Sequence, residues 1–234
     1  MFEYPEASGA TRCGPGTGPP ATGPGPSVCP WPGPRAPDDR LLEARYVVAM
    51  RVTHLGHACL LVEIADSRIL IDPGSFSTGF DSLRDLDAVV VTHQHADHLD
   101  EDRLPALLAF NRQAPVYADP ESAELLDGNS SDIVVLAEGE KHRVGTTTIR
   151  PVGRLHAANH DRVPRCTNVG VVLQADGEPS LYHPGDAYDG EPGETDVLAV
   201  PLNAPWSKVA ETIVVKRMPI LLKTAVDRPV VPGR

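Results

Sequence analysis

The chain has 234 residues and a formal net charge of −11, so it holds one domain or two small ones. Its acidity disfavours a general nucleic-acid surface, which needs basic patches against phosphate, and favours a small-molecule substrate as partner. No apolar run reaches the ~18–20 residues of a membrane span, nothing near Met1 has the layout of a secretion signal, and Cys13, Cys29, Cys59 and Cys166 lack disulfide or Cys-x-x-Cys spacing, so a reducing cytoplasm is expected.

From Met1 to about Pro37 the chain is crowded with glycine and proline, as in Cys13-Gly14-Pro15-Gly16 and Pro30-Trp31-Pro32-Gly33-Pro34. Proline removes backbone donors, glycine raises the entropy cost of ordering, and little apolar area offsets either. A disordered leader over 1–49 is expected, with Met50 as a candidate true start directly before the first strand.

Val52 to Leu55, Cys59 to Ile64 and Ile69 to Ile71 then read as a meander of short strands. His57 sits in its first turn beside Gly56, and His54 reads as a strand or surface residue. Asp72-Pro73-Gly74 ends the third strand. Asp72 is either part of a plain turn or a carboxylate that orients a ligand histidine.

The run Ala88 to Val91 reads as a strand buried on both faces, and it leads into Thr92-His93-Gln94-His95-Ala96-Asp97-His98. Alternate residues of an extended segment share a face, so His93 and His95 can grip one cation. Asp97 and His98 follow where the chain turns, and a second cation can sit there, since binuclear hydrolytic sites hold their ions ~3.5–4 Å apart. Imidazole and carboxylate donors suit zinc first, with manganese or iron(II) as alternatives.

A helix opens between Asp100 and Pro105 with Leu104, Leu107 and Leu108 as its apolar stripe. Pro115 to Ala118 and Asp132 to Leu136 read as strands around a helix from Pro120 to Leu126 that Gly128 closes, which implies a parallel layer. Glu140 to Val152 reads as a hairpin around Gly145, with His142 solvated. The loop after Val152 carries His156, His160 and Asp161, one of which completes the first metal. Asn168 to Gln174 and Ser180 to His183 are further strands, the latter followed by Pro184-Gly185-Asp186, and His183 reads as structural rather than as a ligand. Asp196 to Trp206 is a strand and loop before a helix near Ser207.

His-x-His-x-Asp-His after an apolar strand resembles the signature of the metallo-β-lactamase superfamily. Thr53-His54-Leu55-Gly56-His57-Ala58 and Ile69-Leu70-Ile71-Asp72-Pro73-Gly74 look like its opening strands, most similar to the branch of ascorbate-6-phosphate lactonase-like and N-acyl-phosphatidylethanolamine phospholipase D-like enzymes. The likeness runs from about Arg51 to about Ala210 and implies an α/β fold, an αββα four-layer sandwich. It also implies that His156 joins His93 and His95 around one ion, and that Asp186 bridges to a second ion held by Asp97 and His98. By the same likeness His57 becomes a substrate-facing or ligand-orienting candidate, and His160 and Asp161 resemble a local extension of similar hydrolases.

The implied activity is hydrolysis of an ester, lactone or phosphoester by water acidified between two divalent cations, with Asp97 or His160 relaying the proton. The family also continues to a strand and a last histidine, whereas no histidine follows His183 here and Met218 to Arg234 carries three prolines. The expectation is a hydrolase domain over 50–213 that lacks its terminal strand and holds its second ion weakly, with an atypical tail over 214–234, frameshifted or truncated. Two rival readings are a decayed or non-catalytic metal-binding protein and a metal-dependent nuclease or phosphodiesterase.

Overall fold

The computed structural model describes residues 50–127 and 132–201 and the backbone of 220–224, all within the unit 46–234. The Gly/Pro-rich leader, the closing Gly128, the helix near Ser207 and the rest of the tail lie outside the described residues.

Strands β1 (Arg51–His54), β2 (Leu60–Ile64) and β3 (Ser67–Ile71) form the expected antiparallel meander, with Val62 opposite both Val52 and Ile69. β4 (Ala88–Val91), β5 (Val116–Ala118) and β6 (Ile133–Val135) then join in parallel, in sequence order across the sheet. Parallel neighbours require crossovers. Helix α1 (Leu104–Phe110) links β4 to β5, and α2 (Pro120–Leu126) links β5 to β6. Each has proline in its first turn, where the missing amide costs nothing. The Asp119 carboxylate caps α2 by accepting from the Glu121 and Ser122 amides at 3.2 and 3.3 Å.

The second sheet contains β7 (His142–Val144), β8 (Thr147–Val152), β9 (Gly170–Gln174) and β10 (Leu181–His183) in antiparallel succession, with β11 (Val197–Pro201) parallel to β10. The sequence predicts that a terminal strand is missing. Instead β12 (Ile220–Thr224) pairs in parallel with β11, Val197 opposite Ile220 and Pro201 opposite Thr224, and forms the edge of this sheet.

Side-chain alternation explains how the layers stack. Leu60, Val62, Ile64, Ile69, Ile71, Ala88 and Val90 of the first sheet meet Ile149, Val171, Leu173, Leu181, Val197 and Ala199 of the second. The intervening residues Leu61, Leu70, Val89 and Val91 point the other way, against Leu104, Leu107 and Leu108 of α1 and Ala123 and Leu126 of α2. All four residues of β4 are buried, as its unbroken apolar run predicts. Val172, Tyr182, Leu198 and Val200 form a separate cluster on the outer face of the second sheet.

One expectation fails on packing. His142 is half-buried rather than solvated, its ring 5.4 Å from that of Tyr117. Alternation along β7 places it on the same face as the buried Val144, a relation that the flanking Lys141 and Arg143 conceal.

The polar joint between the 3₁₀ turn Phe80–Ser82 and α1 rests on Asn111, which is fully buried. Its Oδ1 accepts from the Leu86 amide at 3.0 Å, and its Nδ2 donates to the Leu83 and Leu107 carbonyls at 3.0 and 2.9 Å. Asn111→Ala takes the side-chain partner from the Leu86 amide and the Leu107 carbonyl, while the Leu83 carbonyl keeps its bond from the Arg84 guanidinium at 2.8 Å, and is expected to cost about 2–3 kcal/mol. A lower denaturation midpoint at unchanged m-value is the readout.

Candidate metal centre

β4 ends at Val91, and the chain leaves the sheet edge at Thr92 with its backbone tied down. Asp72, at the end of the neighbouring β3, accepts from the Thr92 amide through Oδ1 at 2.8 Å and from the Thr92 hydroxyl through Oδ2 at 2.8 Å. The same Oδ2 lies 2.7 Å from His98 Nδ1. Asp72 is fully buried in the left-handed region at φ 48°, so one carboxylate fixes both ends of the 92–98 loop. Gly74 completes the junction, because a Cβ there would lie 1.8 Å from the Asp97 carbonyl oxygen.

Within this frame His93, His95, His156 and Asp186 bring one donor atom each to within 4.8 Å of one another. His93 and His95 come from the loop after β4, His156 from the loop after β8 and Asp186 from the turn after β10. The first two belong to one sheet and the others to its partner, so the group forms only when the sandwich closes. The ring centroids of His93, His95 and His156 are 4.7–4.9 Å apart.

Hydrogen bonds on the far side of the rings set the tautomers. The Thr92 hydroxyl donates to Asp72, so its contact of 3.1 Å with His93 Nδ1 has the imidazole donating, which leaves the Nε2 lone pair facing inward. His156 Nδ1–H donates to the Ala157 carbonyl at 2.8 Å, with the same result. His98 Nδ1–H donates to Asp72, which turns its Nε2 toward Asp186 Oδ1 at 3.3 Å. Tying the outer nitrogen to an acceptor is how proteins aim a metal-binding imidazole.

Electrostatics point the same way. Burial, reinforced by the neighbouring His98, His156 and His95, holds His93 well below the usual imidazole pKa, and burial with His156 lowers His95. Both are therefore neutral, as ligation requires. Burial opposes ionisation of Asp186, but His156 and His98 outweigh it and hold that carboxyl far below the usual range. The Asp186 amide donates to Asn168 Oδ1 at 2.9 Å, and Asn168 Nδ2 donates to the Pro184 carbonyl at 2.9 Å.

A second group lies alongside: His57, Asp97 and His98 also place donor atoms within 4.8 Å of one another. His57 Nε2 is 2.9 Å from Asp97 Oδ2. Burial raises the Asp97 pKa, yet His57 and His98 together bring it below the ordinary carboxylate value.

Other residues singled out by the sequence stand outside both groups. His183 is buried behind the site, its Nε2–H donating to the Ala58 carbonyl at 2.9 Å and its Nδ1 accepting from the Gly185 amide at 3.2 Å. His160 and Asp161 are exposed, and His160 Nδ1 accepts from the Arg162 amide at 3.1 Å. Thr92 and Asn168, which brace His93 and Asp186, carry no sequence signature. Cys166 Sγ lies 3.8 Å from His95 Nε2, but burial and the nearby Glu121 push the thiol up to about 11, so it is no ready nucleophile.

A family model for the beta-lactamase superfamily domain matches residues 51–226. The chain is similar to Protein Rv0786c of Mycobacterium tuberculosis, 41% identical over 165 residues that cover 70% of this chain and 76% of that protein. It is also similar to a UPF0173 metal-dependent hydrolase of Xanthobacter autotrophicus, 31% identical over 156 residues, 58% of this chain and 62% of the relative. Among solved structures, a protein of Parabacteroides distasonis described as a metal-dependent hydrolase superposes with a TM-score of 0.62 at 22% identity, over 77% of this chain and 84% of that one. At such identity the likeness is one of fold. The match over residues 51–226, most of the described sandwich, makes the chain a member of the β-lactamase superfamily.

Proposed function

We propose that this member of the superfamily hydrolyses an ester, lactone or phosphoester of a small molecule with two divalent cations, zinc in first place. The observation that carries the reading is the convergence of His93, His95, His156 and Asp186 from both sheets, with the lone pairs of His93 and His156 aimed inward. Neutral imidazoles and an ionised carboxylate are a fitting donor set for zinc and related ions. These four residues would hold one cation, and Asp97 and His98 would hold the other, with Asp186 shared between them.

When bound, such a pair acidifies water toward neutrality and stabilises negative charge that develops on the attacked centre. The chain's own contribution is position and proton handling. Asp97, about a quarter exposed, stands at the open side of the site and can accept a proton from the attacking water. His160, on the exposed loop after His156, is the second candidate for that relay, with Asp161 beside it. Phe76 is 60% exposed and packs edge-on against His57 at 5.6 Å, which offers an apolar flank to an organic substrate. The net charge of −11 suits a small molecule better than a polyanion. No helix among the described residues is long and apolar enough to cross a membrane, and the free thiols of Cys59 and Cys166 accord with a reducing compartment.

The test is a panel of small esters, lactones and phosphoesters with the purified full chain, whose metal content is measured beforehand. Hydrolysis of at least one class is expected, to be abolished by chelation and restored by zinc. Hydrolysis that survives complete chelation would overturn the reading. His93→Ala is expected to lower activity at least 100-fold, on the order that removal of an essential electrostatic group costs, with the fold retained by circular dichroism.

A milder change probes the support. Asp72→Asn presents an amide N–H where His98 Nδ1–H needs an acceptor, so His98 is driven to keep its proton on Nε2. Metal affinity at that position should fall about 10–100-fold, measured by competition with a chromogenic chelator.

A further inference from the structure

His57 is the one imidazole of the site whose backbone is strained. It sits at φ 50°, in the left-handed region that side-chain-bearing residues enter at a cost. The turn is held there by several bonds: the Leu55 amide donates to the Cys59 carbonyl at 2.9 Å, and the Cys59 amide donates to the Gly56 carbonyl at 3.0 Å. His54 Nε2–H closes the turn from outside by donating to the His57 carbonyl at 2.7 Å. Phe76 flanks the ring on one side and His98 on the other, at centroid separations of 5.6 and 5.2 Å, both edge-on. Ring position and direction are thus fixed from several sides.

This arrangement aims Nε2 at Asp97 Oδ2, 2.9 Å away. Here Nε2, the Asp97 carboxylate and the donor atom of His98 surround a common space, all within 4.8 Å of one another. That spread suits bonds of about 2.0–2.2 Å to one ion.

We infer that His57 is a direct ligand of the second cation, joining Asp97 and His98 beside the shared Asp186. The inference rests on the metal-centre reading above and adds a ligand to it. It gives the strained turn a purpose: the left-handed residue turns its ring under the sheet edge, where an ordinary strand residue would point into solvent or into the core.

The experiment loads the full chain with cobalt(II), stepwise, and records the metal content and the hyperfine-shifted imidazole proton resonances. The second equivalent is expected to add signals from two imidazoles, those of His57 and His98. In His57→Asn, a residue that tolerates the left-handed turn, one of these signals should vanish and second-site affinity should fall by more than about 100-fold. That exceeds the about 10–100-fold cost of losing a residue that merely orients a ligand. Signals from one imidazole in the second step, or two ions bound with equal affinity by both proteins, overturn the proposal while the metal-centre reading stands. A chain that takes up a single ion overturns it too. A chain that takes up none removes the metal-centre reading and the proposal together. Should the variant fail to fold, the signal count on the unaltered chain decides the matter.

Discussion

The arrangement depends on a carboxylate buried without any exposure to solvent. Asp72 accepts from the Thr92 amide, the Thr92 hydroxyl and His98 Nδ1, and so welds the end of β3 to both ends of the histidine loop. An unpaired carboxylate in that position would be prohibitively expensive, whereas one with three donors is stable and directional. Every candidate ligand of the loop inherits its position from this joint. His93 is set through Thr92, His98 is set directly, and His95 and Asp97 lie between two fixed points.

The second sheet contributes on different terms. His156 and Asp186 stand on loops braced by backbone carbonyls and by Asn168. The two halves meet through the apolar layer between the sheets and through polar bonds at the site, where the Val169 amide donates to the Thr92 carbonyl at 2.9 Å and His183 donates to the Ala58 carbonyl at 2.9 Å. Burial serves the chemistry as well as the fold. It lowers His93 well below the usual imidazole value, while the Asp72 and Asp186 carboxylates overcome burial at His98 and push that imidazole up to about 10.

Much of this frame was legible in the sequence, for definite reasons. The β4 run announces a doubly buried strand because nothing polar interrupts it, and His93 and His95 follow at a spacing that a strand end turns into a shared face. The loops carrying His156 and Asp186 could be matched by resemblance, and Asp72 was visible as a carboxylate at a strand end. What stayed hidden depends on tertiary contact. Thr92 and Asn168 are common residues whose roles arise only when another strand lies beside them. The left-handed φ of His57 cannot be read from residue type, since only its glycine neighbour hints at a tight turn. β12 was missed because a short apolar segment after Pro219 has no periodicity to distinguish strand from tail.

Gly74 shows how little room the site leaves for drift. With no side chain it lets two backbone segments touch: the turn that follows Asp72 and the stretch that bears Asp97 and His98. The smallest addition, one methyl group, would wedge these segments apart and carry two donor groups with them. A position that does no chemistry therefore sets the gauge of the centre, and no residue with a Cβ fits there unless the backbone of the histidine loop moves.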